Sequence, residues 1–133
     1  MSRENVEIVR GIYRALSRGD IDAALDAGAS DMVHDWSRSI GPYQGIYRGR
    51  EEVRAFWQTF QEAADELSFD VEQTIDDGPH VLAIVRVSMR GRGSGAQAIA
   101  RGPHLWTLRE GKVLSFTLFQ NKNEALEAVG LRE

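Results

Sequence analysis

Hydrophobic residues change their spacing repeatedly along this chain, and each change marks an element. Val6, Val9, Tyr13 and Leu16 recur at helical intervals, and Ile8 and Ile12 widen the apolar stripe. The spacing predicts a first helix, with Ser2 as its cap and Glu4 in the first turn, where a negative charge complements the dipole. Gly19 ends that helix, and Asp20 caps a short second one carrying Ile21, Ala24 and Leu25. From Asp31 the rhythm alternates. Met32, His34 and Trp36 share one face of a strand, and Val33, Asp35 and Ser37 share the other. The segment Arg38–Arg48 reads as a loop broken by Gly41-Pro42 and Gly45, ending in a short strand, with Tyr43 and Tyr47 as material for a wall or lid. Helical spacing returns after Gly49. Val53, Phe56, Trp57, Phe60, Ala64 and Leu67 form the strongest stripe in the chain and are assigned to the core.

The second half reads as strands. Phe69, Val71 and Ile75 alternate with Asp70, Glu72 and Thr74, and Asp76-Asp77-Gly78-Pro79 turns the chain beside an exposed His80. The next strand is apolar on the face of Val81, Ala83, Val85, Val87 and Met89. Its other face starts with Leu82 and Ile84 and changes to Arg86, Ser88 and Arg90, as a surface buried at one end and open at the other. Gly91–Gly95 is a hairpin loop, not a phosphate loop, because no helix follows to aim its amides. Ala96–Gln120 then forms a long hairpin turning at Glu110-Gly111, with apolar residues on both faces. A last helix starts at Asn121 and Glu124 as a capping box and stops at Gly130, with Leu131 packing back on Leu126.

Composition narrows the class. The chain has 133 residues, read as a single domain spanning 1–133, with 42% hydrophobic and 27% charged residues. A net charge of −4 argues against a nucleic-acid partner, which needs clustered cations. No apolar run is long enough to span a bilayer, and the charged N-terminus does not read as a signal peptide, so no membrane partner is expected. The absence of cysteine excludes disulfides and thiol chemistry and fits a cytoplasmic setting. The three histidines lack metal-ligand spacing, and no metal or other cofactor is expected.

The segments Arg18-Gly19-Asp20-Ile21-Asp22-Ala23-Ala24-Leu25, Met32–Trp36, Tyr47–Val53 with Phe56-Trp57, and His104–Val113 together resemble the nuclear transport factor 2-like superfamily, and within it the SnoaL-like proteins. The likeness covers nearly the whole chain. It implies an α+β fold, a conical half-barrel of curved, mostly antiparallel sheet closed by N-terminal helices around one deep pocket. That superfold hosts isomerases, cyclases, dehydratases, hydrolases and noncatalytic binding modules, so it specifies the fold more than the chemistry. In register with the ketosteroid isomerases, the basic aspartate falls at Trp36, the acidic aspartate at His104 and the tyrosine near Ile12, one place from Tyr13. None is kept, and that mechanism is not transferred.

His104 is the first candidate proton carrier and His34 its partner, against the alternative of core histidines held by a single hydrogen bond. Trp36 and Trp106 are candidate walls for a flat apolar ligand, Tyr43, Arg86 and Gln120 candidate orienting donors, and Phe116 and Leu118 apolar lining. Arg38 and Arg101 read as surface charges. Parity turns Val113, Ser115, Thr117 and Phe119 outward with Leu105 and Ile99, an apolar outer face that a homodimer would cover. Three readings follow. The first is an acid–base enzyme of isomerase, cyclase or hydrolase type, the second a binding protein for a small hydrophobic or aromatic molecule, and the third a dimeric interaction module.

Overall fold

The elements expected from the spacing are present in a computed structural model, which describes residues 2–40 and 43–131. Gly41-Pro42, expected to break the loop, lies outside the described residues, as does the capping side chain of Ser2. The order is α1 (Ser2–Ser17), α2 (Ile21–Leu25), β1 (Gly28–Asp35), β2 (Ile46–Arg48), α3 (Gly49–Glu62), β3 (Ala64–Asp77), β4 (His80–Gly91), β5 (Gln97–Arg109), β6 (Lys112–Leu118) and α4 (Lys122–Ala128). The strands form one curved, unclosed sheet in the order β2-β1-β6-β5-β4-β3, antiparallel except where β1 meets β6. Packing α1 across β3 and β4, and α3 against β1, closes the concave side.

Local chemistry explains most boundaries. Asp20 accepts a hydrogen bond from the Ala23 amide (3.1 Å) and starts α2. Glu110 and Gly111 both adopt positive φ (52° and 76°), the geometry of a two-residue turn whose twist matches its strands. The α3 stripe ends sooner than its spacing predicts. The helix stops at Glu62, and Ala64 and Leu67 belong to β3. Arg92 holds that stop, donating to the carbonyls of Glu62 (2.9 Å) and Ala64 (3.1 Å).

Irregularities in the ladder overturn two expectations about which way side chains face. The register slips between Thr107 and Leu108, so that Val113 turns inward with Phe116 and is 1% exposed. A second slip between Val71 and Gln73 separates Phe69 and Val71, which face the inner core, from Ile75, which faces out. His80, expected to be exposed, is half-buried, its Nδ1 3.1 Å from Thr107 Oγ1.

The outer face differs from expectation in a third respect. There α4 folds back on the sheet, packing Ala125 and Leu126 over Leu82, Leu105 and Phe119. The helix begins and ends as its sequence predicts. Asn121 Oδ1 accepts from the Glu124 amide (2.8 Å), and the Leu131 amide donates to the Leu126 carbonyl (2.8 Å) past a left-handed Gly130. Beyond α4 the outer face carries ion pairs between strands, among them Arg90–Glu66 and Arg101–Glu72.

Candidate functional site

The concave side is filled with rings from its narrow end upward. Phe116 is the hub, with its centroid 5.2 Å from His34, 5.4 Å from Trp36, 5.0 Å from His104 and 4.9 Å from Trp106. The four rings expected to share a hollow therefore gather on the inner face, as strand alternation requires. They do not share one space. Phe116, Trp106 and His34 are 1%, 1% and 3% exposed and belong to the packed interior. A void of about 10 Å³ touches His34, Trp57 and Trp106 beneath them, at the lower limit for one water.

Above this layer, at the open end, lies a cavity of about 390 Å³. Trp36, Tyr43, Phe60, Phe69, Val87 and Leu118 wall it, and Gly102 and His104 form its floor. Exposed Gln120 marks its rim and donates from Nε2 to the Arg38 carbonyl (2.6 Å), which ties the loop after β1 to the end of β6. Tyr43 reaches the wall through its ring, 4.7 Å from that of Phe60. Arg86 is elsewhere. It extends from the outer face of β4 and pairs with Asp70 at 3.7 Å. Arg38 pairs with Asp35 and lies over the ring of Phe119 (4.8 Å).

His104 is joined to a residue that sequence reasoning passed over. Tyr13 Oη stands 2.6 Å from His104 Nδ1 and accepts a hydrogen bond from Trp106 Nε1 at 2.9 Å. All three side chains are buried. The tyrosine proton has no other acceptor among the described residues, so the arrangement that leaves no buried donor idle has Tyr13 donating to Nδ1. The imidazole then carries its own proton on Nε2. That atom lies on the Gly102 side of the ring, where a Cβ built on Gly102 would be 3.6 Å away, and Gly102 lines the cavity. Among the described residues Nε2 has no protein partner. The result is a relay, indole to phenol to imidazole, ending in an N–H at the cavity floor.

Burial sets the charge states. Desolvation pushes the His104 and His34 imidazoles down to about 3, so both are neutral near pH 7. Desolvation also raises the Tyr13 phenol above its ordinary range, against a smaller opposite pull from the Trp106 hydrogen bond. Among the described residues His34 Nδ1 and Trp36 Nε1 have no hydrogen-bond partner. Of the described residues around the cavity, only Arg101 is charged, and it is engaged with Glu72 at 2.9 Å. No group of three or more histidine, aspartate or glutamate side chains is placed to hold a metal among the described residues, and no helix there is long and apolar enough to cross a membrane.

A signal for Tyr13 was present in the sequence. A phenol on the buried stripe of a helix requires a partner for its hydroxyl, and the long hairpin supplied polar candidates.

Comparison with known proteins agrees with the fold. The chain is similar in fold to TerC co-crystallized with polyporic acid, at 18% identity over 89% of this chain and 92% of that one, with a TM-score of 0.76. It is similar to a Mycobacterium tuberculosis protein in complex with estradiol-17beta-hemisuccinate, at 20% identity over 89% and 94% of the chains and a TM-score of 0.77. It is also similar to an NTF2-like protein of unknown function from Burkholderia pseudomallei, at 22% identity over 96% and 98% and a TM-score of 0.78. No curated protein matches. The model of the SnoaL-like domain matches residues 9–116, from Val9 in α1 to Phe116 in β6. Because that match takes in both the helices that close the cone and the strands that form it, the chain belongs to the SnoaL-like domain family.

Proposed function

We propose that this protein binds a small, mainly apolar molecule in the 390 Å³ cavity and holds an acceptor oxygen of that molecule on His104 Nε2–H. The observation that carries the reading is the Tyr13 hydrogen bond to His104 Nδ1, which leaves the opposite nitrogen as a fixed donor at the floor of an aromatic-walled space. A neutral imidazole of this kind donates a hydrogen bond and takes up no proton near pH 7. Two proteins of the same fold hold polyporic acid and estradiol-17beta-hemisuccinate, which supports a small-molecule occupant.

A second reading makes the protein an enzyme of isomerase, cyclase or hydrolase type. The oriented donor favours it, since an N–H fixed at the base of an aromatic-walled cavity stabilises negative charge developing on a substrate oxygen. In this form His104 is an electrophile, and His34, sealed beneath Phe116, supports the packing and takes no part in proton transfer. A homodimer has less apolar face to bury than the sequence suggested, because α4 covers Leu82, Leu105 and Phe119 and leaves Ile99 exposed. Sedimentation equilibrium at micromolar concentration tests it.

Calorimetric titration with 9-fluorenone, a flat ketone small enough for the cavity, tests the binding reading. Saturable binding is expected for the wild type and its loss in Ala100→Trp, which fills the space from an exposed position at the mouth. Failure of the wild type to bind, or equal binding by Ala100→Trp, overturns it.

A further inference from the structure

Gly102 is a glycine that neither its φ nor the strand register requires. Its φ is not in the left-handed range that marks eight other glycines among the described residues. The β4–β5 ladder runs in unbroken register from His80↔Thr107 to Arg90↔Gln97, so no bulge requires it. A Cβ added there would meet only side chains at ordinary contact distances, Leu118 Cδ1 at 3.4 Å and His104 Nε2 at 3.6 Å. A bare position inside a strand costs conformational entropy and forgoes packing. With turn, bulge and backbone crowding removed as causes, close approach of a ligand accounts for a bare position that lines the cavity.

The neighbours on β5 fit that conclusion. Ala100, Gly102 and His104 alternate along the strand and share its inner face, passing from exposed to half-buried to buried. They form a low track from the mouth to Nε2, between the bulkier Val87 and Leu118. An acceptor oxygen must come within about 2.9 Å of Nε2 to bond it, and a methyl group on Gly102 would occupy the adjoining space.

We propose that Gly102 is the specificity-determining residue of this site: its missing side chain admits the carbonyl edge of a ligand to His104, so the cavity prefers molecules bearing such an acceptor over equally apolar ones without it. The inference rests on the binding reading given above and names the position that sets its selectivity.

The matched probes are 9-fluorenone and fluorene, which differ in the carbonyl. Tryptophan fluorescence titration of the wild type is expected to favour fluorenone by about five- to tenfold, the worth of one buried hydrogen bond. In Gly102→Ala the ratio is expected to fall to near one, while the thermal midpoint stays the same or rises because the strand gains a Cβ. His104→Phe should lose the ratio as well. If both probes bind the wild type and Gly102→Ala keeps the preference, the role of Gly102 is overturned and the binding reading stands. If neither probe binds the wild type, both fall. Loss of the fold in Gly102→Ala would also overturn the inference, since it requires that the strand accept a methyl group.

Discussion

Tyr13 Oη and His104 Nδ1, 91 residues apart in the chain, are 2.6 Å apart in the fold. The bond pins α1 to the middle of β5 and fixes which imidazole nitrogen carries the proton. Structure and chemistry therefore meet in one contact, and removing it should disturb both.

Tyr13→Phe keeps the ring and deletes the hydroxyl, leaving His104 Nδ1 and Trp106 Nε1 without their partner. A loss of about 1–3 kcal/mol is expected from stranding buried polar atoms, measured by urea denaturation. Nitrogen-15 NMR of the imidazole should find a single Nε2–H tautomer in the wild type and a mixture in the variant.

His34→Phe should behave in the opposite way. The His34 ring stacks on Phe116 and lies edge-on to Trp57 and Trp106, with Nδ1 unpartnered. An apolar ring of similar shape removes a desolvated group without breaking a bond, so stability is expected to stay level or rise by about 1 kcal/mol. A loss of several kcal/mol in the same denaturation experiment would contradict the packing role.

Acid should unfold this protein through its two buried imidazoles. Their folded pKa values are pushed down to about 3 from an ordinary 6.5, so between those limits the unfolded chain binds protons that the folded chain does not. Stability is therefore complete above about pH 6.5 and falls as the pH drops towards 3, by at most about 1.4 kcal/mol per pH unit for each histidine. Midpoints measured from pH 7 to 4 should fall along such a slope, and His34→Phe should make it shallower.

Leu126→Ala probes the outer face. Leu126 is 4% exposed, against Leu82, Leu105 and Phe119. A cost of about 2–4 kcal/mol is expected for the vacated space. Because α4 rests on the outer face of the sheet through this cluster, part of that loss should appear as local detachment, read as faster proteolysis after residue 120 and increased binding of a hydrophobic dye.

The sequence was most legible where periodicity and capping chemistry agree. The α3 stripe as far as Phe60, the turn at Glu110-Gly111 and the stop at Gly130-Leu131 could all be placed by rules that act within a few residues. It misled at Val113 and Ile75, because one extra residue in a ladder reverses every later facing and leaves no mark in the alternation itself. His104 could be singled out because a histidine on the inner face of a core strand is conspicuous. Its partner could not, since a contact between Tyr13 and His104 depends on how α1 lies across the sheet. The position of Gly102 was likewise silent, since its ordinary φ and its place on the cavity lining show only in the fold.

Phe119 lies on the boundary of two spaces, with one side contributing to the cavity and the other packed under α4. An occupant pressing on that ring and a helix docking behind it must then reinforce each other, as any two events sharing a wall do. Amide exchange in α4 should slow when the cavity is filled, and a bulky tag fused behind the helix should weaken the hold on whatever sits in front of it.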